Sequence, residues 1–265
     1  MSWRRTILGV AALMVLSSVI LCSGGFAQEP KDVLPPPPAG KAWKLVWHDE
    51  FEGAKLDESK WDIPPDGPRV DGWWMRKAIT LDGKGHLVIN ITKDGDKFIS
   101  GCVRTRGKFE HAFGYYVARL QFQKQIGHWS AFWLYNDCVS RVGDEGRDGT
   151  EIDILERPWL TDCMQHTLNW DGYGKDHKQK KKLVWVPGVH EGFHTIGLLW
   201  LPDEYRFYID GKETWRTTAG GVCQVPLYIK LSDEVGWWGG NIKKAKLPDK
   251  FVADYVRVYD LTEKK

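Results

Sequence analysis

Short strands separated by tight turns follow one another along this chain, and no other feature restricts its fold as much. Residues 86–91 are rich in β-branched side chains and follow a glycine-containing turn, and residues 205–209 alternate before a turn formed by Asp210 and Gly211. Residues 251–259 alternate in the same way. No long segment has the apolar spacing of a helix. The sequence therefore predicts an all-β fold, an antiparallel β-sandwich of two packed sheets.

One predicted strand, residues 151–156, carries three carboxylates among large apolar residues. Side chains of a strand alternate faces, so Glu151 and Asp153 share one face and Glu156 falls on the other. A β-bulge around Ile154 and Leu155 would return Glu156 to the first face. Repulsion and desolvation would then leave one acid ionised and another protonated near neutral pH, as in a retaining glycosidase. The spacing alone also permits an edge strand with a solvated acidic face.

The first 27 residues have the pattern of a signal peptide. Arg4 and Arg5 precede an apolar run over residues 7–21, and residues 25–27 form a small-residue cleavage site. The apolar run is shorter than the ~20 residues that span a bilayer, so no stable membrane insertion is expected after cleavage. We therefore expect a secreted or periplasmic protein.

Residues 28–42 are predicted to form a proline-rich, extended linker, and residues 43–262 a single large domain. Without the signal peptide the 37 Lys and Arg become 35, because Arg4 and Arg5 are lost, and they equal the 35 Asp and Glu. A chain without net charge is not expected to bind nucleic acid or an anionic membrane. A core of this size needs no cross-links, and we expect a monomer.

Four cysteines remain after the signal peptide, at Cys102, Cys138, Cys163 and Cys223. An even number in an exported chain permits two disulfides, in any of three pairings. Free buried thiols are the alternative, because the four cysteines are widely spread in a large domain.

Several motifs accompany the acidic strand. They lie at residues 47–51, 56–61, 127–134, 166–170, 193–198 and 254–259. Together with residues 151–156 they closely resemble glycoside hydrolase family 16, over about residues 43–260. The spacing Glu-x-Asp-x-x-Glu is the form found in that family's laminarinases, agarases, porphyranases and carrageenases. The resemblance implies a jelly-roll sandwich with a substrate cleft across its concave sheet.

The same resemblance implies a role for each acid. Glu151 corresponds to the nucleophile that forms a glycosyl-enzyme, Glu156 to the general acid that later acts as the base, and Asp153 to a residue that tunes both. The implied function is a retaining endo-β-glycan hydrolase that acts on a polysaccharide and requires no cofactor. Two alternatives stay open: a non-catalytic glycan-binding module and a transglycosylase that uses the same cleft.

The chain has 15 tryptophans, more than a core of this size requires. An exposed indole offers a flat apolar face to a sugar ring. Trp129 and Trp133, on the strand before the acids, are predicted to stack on sugars beside the cleavage point. Sugar contacts are also predicted for two adjacent pairs, in which one indole must face away from the core. These pairs are Trp73 with Trp74 and Trp237 with Trp238.

Three further residues are assigned through the resemblance. His166 lies on a strand expected next to the acids and is predicted to hydrogen-bond an acid or a sugar hydroxyl. Glu50 and Asp254 are predicted to contribute oxygen ligands to a structural calcium ion.

Residues 190–194 match the zinc-protease pattern His-Glu-x-x-His, but flanking glycines exclude the helix that this pattern needs.

The motifs do not fix the polysaccharide. A β-1,3-glucan and red-algal galactans fit them equally, and the absence of net charge on the mature chain favours a neutral glycan. The lysine-rich segment at residues 175–182 is predicted to be a solvated loop.

Overall fold

The computed structural model describes residues 34–264, in which 18 strands form most of the regular structure. The strands are β1 Lys41–Asp49, β2 Gly67–Arg69, β3 Gly72–Trp74, β4 Ile79–Leu81, β5 Leu87–Asp94, β6 Lys97–Ser100, β7 Cys102–Arg104, β8 Glu110–His111, β9 Gly114–Gln121, β10 His128–Tyr135, β11 Thr150–Arg157, β12 Cys163–Trp170, β13 Lys178–Trp185, β14 His194–Trp200, β15 Tyr205–Ile209, β16 Lys212–Thr217, β17 Leu227–Val235 and β18 Asp249–Glu263. The helices in this range are short 3-10 helices at Arg76–Ala78, Asp137–Ser140, Ala219–Gly221, Trp237–Gly239 and Ile242–Lys244. None of the described helices is long and apolar enough to cross a bilayer. The predicted signal peptide lies outside the described residues.

The strands form two sheets. The larger has 11 strands in the order β16-β15-β14-β9-β18-β5-β6-β3-β2, with β1 on β18 and β4 on β5. The smaller has 7 strands in the order β13-β12-β11-β10-β17-β7, with β8 on β17. Paired strands are antiparallel except β3 and β6, which are parallel. The predicted all-β sandwich of the jelly-roll type is confirmed.

The first and last strands of the described chain lie side by side. Strand β1 begins at Lys41, two residues before the predicted start of the domain, and pairs with β18. The carbonyl of Pro35 accepts a hydrogen bond from the Trp43 indole at 2.8 Å, and Leu34 packs against the apolar cluster around Tyr115. The last part of the predicted linker therefore lies against the domain.

The main apolar core lies between the two sheets. The smaller sheet contributes Phe132, Leu134 and Ile152, and the larger contributes Leu120 and Val256, all of them fully buried. Burial of such side chains contributes about 25 cal/mol per Å² of apolar surface. Because the apolar side chains of the smaller sheet point inward to this core, the alternating residues between them, which include the polar side chains, point to its outer face.

The four cysteines of the described chain are free thiols. Burial raises the pKa of Cys102 to about 11 and that of Cys223 to about 12. Thiols with such pKa values stay neutral at physiological pH and pack as small apolar groups. Of the two sequence alternatives, the structure has the free thiols.

The lysine-rich segment is a loop only in its first part. From Lys178 it forms β13, the edge strand of the smaller sheet, which pairs along its whole length with β12. The prediction of a loop is wrong for residues 178–182. The backbone of this lysine-rich segment pairs with β12 along one edge, and its lysines prevent another strand from pairing with the free edge.

A buried charge network joins the two sheets at one end of the core. His128 of β10 is fully buried, and its Nδ1 lies 2.9 Å from a carboxylate oxygen of Asp233 on β17. Its Nε2 lies 3.2 Å from Asp249, the first residue of β18 in the other sheet. Burial alone lowers the pKa of His128, but the charge of Asp233 and the hydrogen bonds to both aspartates outweigh it and raise the pKa to about 9.

We expect the contribution of His128 to stability to depend on pH. Because its folded-state pKa is raised, this stabilisation is complete below the ordinary pKa of 6.5 and is lost as the pH rises through about 9. The loss is at most about 3 kcal/mol. Urea unfolding at pH 6 and pH 10 should therefore show a larger stability gap between the wild type and His128→Gln at the lower pH. The half-exposed His190, changed to Gln, is the control; a gap of equal size at both pH values would contradict a charged His128.

Candidate active site

A β-bulge in β11 brings the three acids to one face. Asp153 and Leu155 pair with consecutive residues of β10, so Ile154 between them has no partner. The register with β12 shifts at the same place, between Asp153 and Glu156. Ile154 and Leu155 are both fully buried in the core. The alternation is thereby reset, Glu156 returns to the face of Glu151, and the predicted bulge is confirmed.

His166 supports the bulge from the core side. Its Nδ1 lies 2.6 Å from the carbonyl oxygen of Ile154, and its Nε2 lies 2.8 Å from the hydroxyl of Thr214. The imidazole is fully buried, and burial lowers its pKa to about 4, so it is neutral. This corrects the prediction that His166 contacts an acid side chain or a sugar. On β12 the side chain of Thr167 faces the acids, and alternation turns His166 toward the core.

Glu151 is held by two hydrogen-bond donors. The amide of Asn169 donates to one carboxylate oxygen at 2.9 Å, and the hydroxyl of Tyr173 donates to the other at 2.6 Å. Burial raises the pKa of Glu151, while the hydrogen bond from Tyr173 and the positive charge of Lys230 oppose this rise. These neighbours favour the carboxylate form, which a nucleophile requires.

The other two acids are pushed toward their protonated forms. Burial, followed by the charge of Glu151, raises the pKa of Glu156 to about 8, against the lowering effect of Thr167 and Trp129. Asp153 is buried, and burial, followed by the charges of Glu156 and Glu151, raises its pKa well above the ordinary value. Near neutral pH the raised pKa keeps Glu156 protonated, beside a Glu151 whose hydrogen-bond donors and neighbouring cation favour its carboxylate form.

Three indoles form an aromatic group beside Glu156. The rings of Trp129 and Trp238 meet edge to face with their centroids 5.3 Å apart, and Trp238 lies 5.9 Å from Trp159 in the same manner. Trp238 and Trp159 are partly exposed. This group offers apolar ring surface at the Glu156 end of the acids, and it includes two of the predicted sugar-binding tryptophans.

Trp133 and Trp74 lie on the same face around Lys230. The ammonium of Lys230 is 3.5 Å from the centroid of the Trp133 ring and 5.4 Å from that of Trp74. Trp133 is 6% exposed, and its indole donates to the hydroxyl of Ser232 at 3.0 Å. Trp133 thus lies where it was predicted, but the ring face beneath Lys230 is closed to a sugar.

The remaining members of the two tryptophan pairs point elsewhere. The ammonium of Lys97 lies 3.6 Å from the centroid of the Trp73 ring, on the opposite side of β3 from Trp74. Trp237 is 78% exposed and lines a cavity of about 560 Å³ with residues 240–243. Of the four paired tryptophans, Trp74 and Trp238 contact residues of the acid-bearing face.

A sequence profile described as Glycosyl hydrolases family 16 matches residues 67–257. The chain belongs to this family. A similar curated protein is the beta-glucanase of Rhodothermus marinus, 28% identical over 252 residues that cover 83% of this chain and 86% of that protein. Another is beta-porphyranase B of Zobellia galactanivorans, 26% identical over 289 residues that cover 95% of this chain and 97% of that protein.

Solved structures agree with this family 16 assignment. The laminarinase from Rhodothermus marinus superposes with a TM-score of 0.71 at 25% identity, over 84% of this chain and 99% of that chain. Porphyranase B from Zobellia galactanivorans gives a TM-score of 0.69 at 26% identity, over 88% of this chain and 98% of that chain. The protein is therefore a glycoside hydrolase that cleaves internal O-glycosidic bonds of a glycan, and enzymes of this family need no cofactor.

The two residues predicted to bind calcium are paired with arginines in this family 16 protein. Arg257 donates to both carboxylate oxygens of Glu50 at 2.8 Å, and Arg119 donates to Asp254 at 2.8 Å. No group of three or more His, Cys, Asp or Glu side chains in residues 34–264 could hold a metal ion. Both carboxylates are thus engaged by arginines, and the calcium ion stays a prediction. Residues 190–194 form a turn that leads into β14, so the zinc-protease pattern has no helix.

Four residues close to the acids were not found from the sequence. They are Asn169, Tyr173, Lys230 and Glu234. Asn169 donates to Glu151 and, at 3.1 Å, also to Asp153, and alternation along β12 would have indicated it once the register with β11 was known. Tyr173 follows β12 in an irregular segment, and Glu234 lies on a strand distant in sequence, so no local pattern indicates either.

Proposed function

We propose that this protein is a secreted or periplasmic endo-β-glycan hydrolase that retains the configuration of the anomeric carbon. The observation that carries this proposal is the bulge in β11, which brings Glu151 and Glu156 to one face, where burial and the charge of Glu151 raise the pKa of Glu156 to about 8. A retaining glycosidase requires such a pair, with carboxyls roughly 5–5.5 Å apart. The signal-peptide pattern at residues 1–27 supports export, and the large continuous core supports a monomer.

The reaction has two steps, each of which inverts the anomeric carbon. First, a carboxylate oxygen of Glu151 bonds to the anomeric carbon while the bond to the leaving-group oxygen breaks, and Glu156 gives its proton to that oxygen. The ionised Glu156 then accepts a proton from water, whose oxygen bonds to the anomeric carbon and displaces Glu151. The two inversions restore the starting configuration.

The electrostatics of the cluster support this exchange of roles. The charge of Glu151 is the largest cause after burial of the raised pKa of Glu156. When Glu151 becomes an ester in the glycosyl-enzyme, that charge disappears and the pKa of Glu156 falls. The same residue is thus an acid in the first step and a base in the second. Burial and the charges of Glu156 and Glu151 raise the pKa of Asp153 between them and so favour its neutral form.

The substrate is proposed from the relatives. The beta-glucanase and the beta-porphyranase B resemble this chain about equally, so a β-1,3-glucan and a red-algal galactan are the two candidate polysaccharides. Transglycosylation would use the same glycosyl-enzyme, with a sugar hydroxyl in place of water. A non-catalytic glycan-binding module is disfavoured, because a binder gains nothing from a costly cluster of buried carboxyls.

A panel of polysaccharides tests this proposal. On the correct glycan we expect early products that are oligosaccharides of mixed length, as endo-cleavage requires. Proton NMR in the first minutes should show newly formed reducing ends as the β anomer, before mutarotation mixes the two forms. First-formed α anomers would contradict retention, and binding without new reducing ends would favour the glycan-binding module. Products longer than the substrate would identify a transglycosylase.

A further inference from the structure

Lys230 is a buried cation on the face that carries the acids. It lies in the middle of β17, paired with Trp133 of β10 on one side and Arg104 of β7 on the other. Directly paired residues of antiparallel strands point to the same face, so Lys230 points to the face of the acids. Only 6% of Lys230 is exposed. Within residues 34–264 its ammonium forms no ion pair and no hydrogen bond to another side chain or carbonyl.

Aromatic rings surround this ammonium. Its nitrogen lies 3.5 Å from the ring centroid of Trp133, 5.2 Å from that of Tyr135 and 5.4 Å from that of Trp74. Cation–π contacts offset part of the cost of burying the charge. They leave the three N–H donors of the ammonium without oxygen acceptors, and a buried charge without a partner is unfavourable. Burial accordingly lowers the pKa of Lys230.

The neighbouring cations on this side of the cleft have carboxylate partners. Arg69 donates to Glu234 at 2.7 Å, and Arg104 donates to Asp62 at 2.6 Å. Each of these pairs is neutral. Glu234 and Glu151 act on the charge of Lys230 without a direct ion pair, so the N–H donors of its ammonium are available to a ligand.

The register of the sheet gives the position of Lys230 relative to the acids. Asp153 pairs with Trp133, and Trp133 pairs with Lys230, so two strand spacings separate the aspartate from the lysine. Two spacings are about 10 Å. Lys230 therefore lies to one side of the cleavage point, within reach of a substituent on a bound sugar.

We propose that Lys230 binds an anionic substituent, a sulfate ester or a carboxylate, on a sugar unit next to the cleavage point. The inference rests on the proposed function, because it requires a glycan in the cleft, and it narrows the substrate to acidic polysaccharides. The anion supplies the missing counter-charge and oxygen acceptors for the ammonium. The zero net charge of the mature chain favoured a neutral glycan. The choice between a neutral and an anionic glycan is made by the charge inside the cleft, however, and that local charge is the one that counts here.

Binding measurements with matched oligosaccharides test this inference. Calorimetry is done in the Glu151→Gln background so that the bound glycan is not cleaved. One pair of probes is a sulfated galactan oligosaccharide before and after desulfation, and the other is a β-1,3-glucan oligosaccharide with and without oxidation of C6 to the carboxylate. We expect Lys230→Met to weaken binding of an anionic probe by about 10- to 100-fold and to leave its neutral partner almost unchanged.

Lys97→Met is the matched control, because the ammonium of Lys97 also lies on a tryptophan ring but away from the cleft. It should bind all probes as the parent does. Equal losses on anionic and neutral probes, or no loss on any probe, would overturn the inference. A loss confined to one pair of probes identifies the substituent as sulfate or carboxylate. Failure of the wild type to cleave any glycan would instead refute the proposed function, so the two failures are distinguishable.

Discussion

Glu151→Gln is expected to lower kcat/KM by at least about 10⁴-fold on every glycan that the wild type cleaves, with the fold intact. The amide cannot form the covalent bond to the anomeric carbon, so the first step has no nucleophile. It keeps the volume of the carboxyl and an oxygen that can accept from Asn169 or Tyr173. The melting temperature should therefore be unchanged or higher, because one member of a mutually repelling acid cluster has lost its charge.

Initial rates of release of reducing ends measure this loss, and Glu58→Gln, an exposed acid paired with Arg76, is the control for removal of a carboxyl far from the cleft. A second variant, Glu151→Ala, tests whether Glu151 itself bonds to the anomeric carbon or only lies close to the reacting sugar. Azide can enter the space left by the side chain and bond to the anomeric carbon while Glu156 protonates the leaving oxygen. The product should be a glycosyl azide of inverted configuration. Hydrolysis by Glu151→Gln at a rate near that of the wild type would refute the assignment of the nucleophile.

The features that could be predicted from the sequence are those decided by neighbouring residues. The bulge is an example: Ile154 and Leu155 are both large and apolar, and a regular strand cannot bury two consecutive side chains in one core. A kink was therefore the arrangement that buried both residues and kept the three acids together. The sandwich likewise followed from strands and turns that are local in the chain.

The residues that tune the acids could not be predicted in this way. Lys230 and Glu234 reach the acid-bearing face because β17 lies two strands from β11, and this neighbourhood is a property of the sheet order. His166 shows the same limit in another form. Its strand was correctly placed next to the acids, but only the pairing of Asp153 with Thr167 fixes which residues of that strand face the cleft. A shift of one residue in this register would exchange the two faces.

Glu156→Gln is expected to lower activity on polysaccharides by about 10²- to 10⁴-fold. The amide has no acidic proton for the leaving oxygen, and it cannot activate water in the second step. An aryl glycoside with an acidic phenol needs no proton to leave, so the glycosyl-enzyme should still form on it and accumulate. A burst of phenol followed by a slow steady state is the expected signature in Glu156→Gln, and Glu58→Gln should show neither the loss nor the burst. Equal impairment on polysaccharide and activated glycoside would mean that Glu156 is not the proton donor.

The pH dependence gives an independent test of this residue. Burial and the charge of Glu151 raise the pKa of Glu156 to about 8, so wild-type kcat/KM should fall as the pH rises through about 8 and the acid loses its proton. Glu156→Gln cannot ionise and should not show this fall on the activated glycoside. The raised pKa also affects stability: the contribution of the neutral carboxyl is complete below its ordinary pKa of 4.5 and is lost as the pH rises through about 8. Glu156→Gln should consequently melt at a higher temperature than the wild type at pH 9 but not at pH 4. If kcat/KM of Glu156→Gln still falls through about pH 8 and its melting temperature at pH 9 is not raised, the proton donor is another residue of the cleft.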